Sequence, residues 1–155
     1  MDLLVLIAKA ADVCRKPLSH AVVPIDPSAP SQLDDLNVRI ECRDADGIRH
    51  PQHDLDLEIY RSGREINLML SWSDQPERPM LWHGRHPVWM DGSSGQRTAA
   101  PEDAAPLEAL GRRLRSVLHH DGPGRVGRWP RHGLNWRPDG RTCPESQCGS
   151  GVPAC

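Results

Sequence analysis

Between Leu36 and Arg43 apolar and polar residues alternate without a break: Leu36, Val38, Ile40 and Cys42 fall on one face, Asn37, Arg39, Glu41 and Arg43 on the other. A repeat of two marks a strand with one buried face, so a half-buried strand is predicted here. Asp44-Ala45-Asp46-Gly47 follows as a type I turn with Gly47 free to take a left-handed conformation. That turn would set Cys42 opposite Ile48 on a short return strand ending near His50. The clearest alternation runs from Asp54 to Trp72 across Ser62-Gly63. With those two residues as the turn, Ile59 pairs with Ile66, Leu57 with Leu68 and Leu55 with Leu70, and all six share a face. The opposite face would carry Asp54, Asp56, Glu58 and Tyr60 against Glu65, Asn67, Met69 and Ser71, a wet and acidic surface. Met80-Leu81-Trp82 and Val88-Trp89-Met90 add two short predicted strands around His83-Gly84-Arg85-His86-Pro87.

Near both ends of this region the period changes. Leu3, Leu6, Ile7, Ala10, Val13 and Cys14 recur at helical spacing behind Asp2, a capping residue type, and Lys16-Pro17 stops the pattern. A strand is the rival for Leu4-Val5-Leu6-Ile7, but the alanines and the length favour a helix from about Leu3 to Arg15. Leu107, Leu110, Leu114, Val117 and Leu118 define a second amphipathic helix led in by Pro101 to Ala105 and ended by Gly122-Pro123-Gly124. Asp103 near its start, and arginines and histidines toward its end, suit the helix dipole. Between the first helix and the first strand, residues 17–32 hold Pro17, Pro24, Pro27 and Pro30 and are predicted to be an irregular linking loop.

The expected fold class is therefore α+β: an antiparallel β-meander of four to six strands with an N-terminal and a C-terminal helix, one or both packed on its apolar face. Residues 1–121 form a single domain in this reading. Residues 122–155, rich in Gly, Pro, Arg and Cys without a periodic apolar pattern, are predicted to be a disordered tail, because such a segment cannot offset the entropy of ordering itself. Leu55, Leu57, Ile59, Ile66, Leu68, Leu70, Leu107, Leu110 and Leu114 are the predicted core.

Charge sharpens the division. The chain has a formal net charge of -2, yet beyond His120 five arginines (Arg125, Arg128, Arg131, Arg137, Arg141) face three acids (Asp121, Asp139, Glu145), leaving a basic tail on an acidic body. Arginines interleaved with Trp129 and Trp136 resemble single-strand nucleic-acid binders in composition; the acidic body and the lack of tail lysines oppose that reading, and nucleic acid is not an expected partner. The longest apolar run, Leu3 to Ala8, falls far below the roughly 18 residues a membrane span requires. Asp2 and Lys9 are unlike a secretory leader, although Ala8-Lys9-Ala10 mimics a cleavage site. Five cysteines, an odd number unevenly spread, fit a reducing compartment and a cytoplasmic protein.

No catalytic or cofactor signature stands out: there is no P-loop, Gly-x-Ser-x-Gly elbow, His-Glu-x-x-His or dinucleotide fingerprint, and no cofactor is predicted. Three constellations remain. Asp54, Asp56 and Glu58 would set carboxylates about 6.5–7 Å apart along one strand face, able to hold a divalent cation or supply an acid and a base; a solvated face that deters edge pairing explains the same pattern. His50/His53 and His83/His86 have ligand-type spacing but lie in turns, where surface histidines are the commoner reading, and His119-His120 closes the second helix. In the tail, His132 with Cys143, Cys148 and Cys155 offers a zinc set lacking the usual close Cys pair, against three incidental thiols. Cys14 and Cys42 fall on core faces and read as small buried apolar residues.

The expected function is a non-catalytic protein-binding or assembly module, with Trp82, Trp89, Arg112 and Arg115 as contact residues, because exposed tryptophan and arginine anchor interfaces. The alternative is a small metal- or ligand-binding protein or enzyme using the acidic hairpin face or the His pairs. Leu57-Glu58-Ile59-Tyr60-Arg61-Ser62-Gly63-Arg64-Glu65-Ile66-Asn67-Leu68, with Pro87-Val88-Trp89-Met90-Asp91-Gly92, resembles a small uncharacterised protein family of cyanobacteria, over the body and not the tail. The resemblance implies a bacterial, cytosolic setting and transfers no catalytic residue.

Overall fold

The computed structural model describes residues 2–28 and 35–120, the side chain of His120 excepted. The predicted tail and its His132, Cys143, Cys148 and Cys155 lie outside the described residues. So do residues 29–34.

Asp2 starts α1 (Leu3–Cys14) as expected, its Oδ1 accepting from the Leu4 amide at 2.9 Å. Ile7, Ala10 and Ala11 form the buried face. Val13, placed on that stripe by its spacing, lies at the margin of the arc and is half exposed.

Residues 17–32 are not wholly irregular: Ser19–Pro24 forms a strand, β1. Four prolines argue against a strand only where every amide must be paired. β1 lies at the edge of the sheet, and Pro24 is its last residue.

The remaining strands follow in chain order, β2 (Asp35–Arg43), β3 (Leu55–Ser62), β4 (Glu65–Trp72), β5 (Met80–His83) and β6 (Pro87–Met90). All six form one antiparallel sheet in sequential order, the meander expected from the alternation. Two details of register differ from expectation. The β3–β4 hairpin turns on Gly63-Arg64, with Gly63 at φ +62, so Leu57 pairs with Leu70, Ile59 with Leu68 and Leu55 with Trp72. Gly63 thus opens a tight hairpin turn, where positive φ is needed, instead of closing one. Because the shift is two residues, every side chain keeps its face. Gly47 adopts the left-handed conformation at φ +80 as expected, with its amide on the Asp44 carbonyl. The return segment, however, makes an isolated bridge between Arg43 and Arg49 instead of a strand, and His50, not Ile48, lies across from Cys42.

α2 (Ala104–His120) packs on β4 and β5, α1 packs on β1, and the helices touch each other, so both cover the same side of the sheet. That inner face carries Leu36, Val38, Ile40, Leu55, Leu57, Ile59, Ile66, Leu68, Leu70 and Leu81, each at most 2% exposed. At about 1.5–3 kcal/mol for each fully buried side chain of this size, this layer dominates the favourable side of folding. All nine predicted core residues lie within it or on the facing side of α2. Gly111 lets α2 approach closely: a Cβ there would lie 3.1 Å from His83 Cδ2 and 3.5 Å from a Leu81 methyl.

Candidate functional site

The acidic stripe is neither wholly exposed nor unpaired. Asp54 is 2% exposed; its Oδ1 accepts from the Cys42 amide at 2.8 Å and its Oδ2 from Arg49 at 2.6 Å. Asp56 is held by Arg39 at 2.8 Å and by the Ser73 hydroxyl at 2.6 Å. Glu41, between Arg43 and Arg49, extends the same lattice of opposite charges across β2 and β3. Alternation placed these carboxylates on one face correctly, but the arginines that neutralise them come from the neighbouring strand and from the loop before Pro51. Charges satisfied in this way make a structural ladder.

The histidine pairs separate in the same manner. His50 Nε2 lies 2.8 Å from Asp44 Oδ2, and this hydrogen bond, with the Ile48 amide, holds the Asp44 carboxyl below its usual range; His53 is an exposed neighbour with ring centroids 6.3 Å apart. His83 is not a surface turn residue: it is 4% exposed beneath α2, whereas His86 of the same pair is exposed. His119 is exposed and lies 3.2 Å from Arg115. Among the described residues no group of three His, Cys, Asp or Glu side chains is placed to hold a metal ion.

Of the expected contact residues, Trp89 is not available. It is 5% exposed, and its indole donates to Glu108 on α2 at 2.9 Å; its parity puts it on the inner face, where short-strand sequence alone left its orientation open. Arg115 is mostly covered, its guanidinium reaching Glu65 at 3.3 Å. Arg112 stays largely exposed, beside Glu108 one helical turn earlier. Trp82 lies on the opposite face, which neither of the described helices covers. Its ring spans Gly84, where a Cβ would come within 2.7 Å of Cη2, and its indole donates to the Tyr60 hydroxyl at 2.8 Å.

Around Trp82 the outer face is apolar. Met69 and Val88 are its two register partners, and Met80 pairs directly with Met90. Three of the chain's four methionines therefore lie together on β4, β5 and β6, all half-buried. No element among the described residues packs on this half of the sheet. The sequence carried a signal for it, since all three share a face with Trp82 once the strand parity is followed. Methionine, flexible and polarisable, suits a surface that adapts to a partner.

A second group depends on β1, which the prolines of residues 17–32 hide from the sequence pattern. His20 pairs in register with Cys42, and their amides turn outward to Asp12 and Asp54, so the two form the closer, non-hydrogen-bonded type of cross-strand pair. The buried guanidinium of Arg15 donates to Cys42 Sγ at 2.8 Å and lies over the Trp72 ring. Cys42 Sγ also donates to the His53 carbonyl at 2.9 Å. Burial raises the Cys42 thiol pKa, with the charge of Arg15 acting against it. Cys42 is thus a buried residue as expected, wired to polar neighbours that the strand pattern did not reveal.

No helix among the described residues is long and apolar enough to cross a membrane. No curated protein and no solved structure matches the chain. One family model does, over residues 4–117, from the first turn of α1 into the last turns of α2, and the chain accordingly belongs to DUF8659, a family of domains of unknown function.

Proposed function

We propose that this domain is a non-catalytic protein-binding module that docks its partner on the β4–β6 half of the outer sheet face. The observation that carries the reading is the clustering of Met69, Met80, Met90 and Val88 around Trp82 on the face that both helices leave uncovered. The proposed occupant is an amphipathic helix of a partner protein, presenting its apolar stripe to the methionines and a basic flank to Glu58, the carboxylate paired in register with Met69. Trp82 is the anchor; Arg112, on α2 across the sheet from this face, lies outside the docking surface, and Trp89 and Arg115 contribute through the fold. A bacterial, cytosolic setting belongs to the same proposal, supported by the resemblance of the hairpin sequence and by Cys14 and Cys42 as free thiols.

A photo-crosslinking side chain at Val88 of the full-length chain, used in native lysate, identifies what covers this face. The purified partner is then titrated against wild type and Trp82→Ala. A heterologous protein captured through an apolar helix, and bound at least about 30-fold more weakly by Trp82→Ala, is the expected result. Capture of a second copy of this chain, or affinity unchanged by Trp82→Ala with the fold intact, overturns it.

A further inference from the structure

Each helix rests on a buried histidine in the same chemical state. The His20 side chain is 0% exposed, and its Nδ1 lies 2.9 Å from Asp12 Oδ1, an acceptor, so Nδ1 carries the proton. His83 is 4% exposed, and its Nδ1 donates to the Gly84 carbonyl at 3.0 Å. In both rings Nε2 is left as a bare acceptor, buried and without a partner. A second proton would have to enter at that atom, where the new N–H finds no acceptor.

The surroundings oppose the charge as well. His20 faces Asp12 and the guanidinium of Arg15 from α1 and its cap, Cys42 from β2, and Asp54 before β3. Asp12 Oδ1 already accepts both the His20 amide and Nδ1–H, so it offers nothing further at Nε2. His83 faces Glu108, Arg112 and Arg115 from α2. Its Cδ2, next to Nε2, is the atom against which Gly111 of α2 packs.

We propose that His20 and His83 act as a proton-operated latch: neutral, they seat α1 and α2 on the sheet, and protonated at Nε2 they unseat both helices from the inner face. Burial, outweighing Asp12 for His20 and the Gly84 carbonyl for His83, lowers both imidazoles from the ordinary 6.5. The released state therefore takes up the protons first. Stability is complete above about pH 6.5 and is lost as pH falls below it. From pH 7.5 to 5.5 the opening constant rises by at most about tenfold for each histidine, the ceiling for a group whose ordinary pKa is 6.5, and by at most about a hundredfold for the two together.

The test is hydrogen exchange and urea unfolding of the full-length chain over that range, for wild type and for His20→Asn, His83→Asn and the double variant. Asparagine keeps a donor near the Nδ1 position and does not titrate. The expected result is that α1 and α2 amides exchange faster at pH 5.5 ahead of those in β3 and β4, that each single variant removes its own histidine's share of the effect, and that the double variant is flat. A flat wild type, the same fall in the double variant, or simultaneous acceleration of helix and strand amides overturns the proposal. If the double variant does not fold, ring nitrogen NMR of wild type decides: both rings neutral and Nδ1-protonated until the helices open supports the latch, and either ring charged in the closed protein refutes it.

Discussion

The two faces of the sheet are made by the same strands, with neighbouring residues of each strand assigned to opposite sides, yet they solve different problems. On the inner face leucine, isoleucine and valine are sealed beneath two helices, and the polar groups that intrude, His20 and His83, are held in one protonation state. Among the described residues no helix covers the outer face, which divides in two. Over β2 and β3 it is a lattice in which Arg39, Arg43 and Arg49 neutralise Asp56, Glu41 and Asp54. Over β4 to β6 the ion pairs give way to methionine and tryptophan. The contrast teaches that a polar-looking strand face can be complete in itself where its charges are paired across strands, and that the apolar remainder is where a partner is to be sought.

The strongest way to break the comparison is to exchange the character of adjacent residues on β4. Leu68→Asp places an unpaired charge in the sealed layer, at a cost of several kcal/mol against a stability of about 5–15 kcal/mol, and is expected to abolish cooperative thermal unfolding. Next comes the buried carboxylate of the outer-face lattice, Asp54. Asp54→Ala strands the Cys42 amide and leaves Arg49 with Glu41 alone, and urea titration should record a loss of about 3 kcal/mol, with little change in the slope. The smallest effect sharpens the contrast most. Met69→Lys, one residue from Leu68 but on the open face and opposite Glu58, should change stability by less than about 1 kcal/mol in the same titration. A Met69→Lys loss as large as that of Leu68→Asp would mean that the outer face is itself a covered core.

Particular residues show where sequence reading stops. Leu55, Leu57 and Ile59 were assigned to the buried face correctly even though their partners were misplaced by two, because a repeat of two is blind to a two-residue shift. β1 was missed because prolines are evidence against a strand only in the middle of a sheet, and edge position is a property of the assembled sheet. Trp89 and Trp82 are similar in the sequence, each following an aliphatic residue, Val88 or Leu81, in a short strand. Their pairing partners put one under α2 and the other on the open face.

The amino-acid sequence by itself determined the elements that local rules govern: the capped first helix, the amphipathic second helix, the alternating strands and the left-handed glycine turn at Gly47. These depend on periodicity and on backbone preferences within a few residues. Only the tertiary structure decided which carboxylates are neutralised, which histidines lose their contact with water, which tryptophan remains available and which face of the sheet the helices leave open. Those outcomes depend on neighbours far apart in the chain, such as Arg15 with Cys42 and Gly111 with His83. Burial and charge pairing are set by proximity in space, which the linear pattern does not contain.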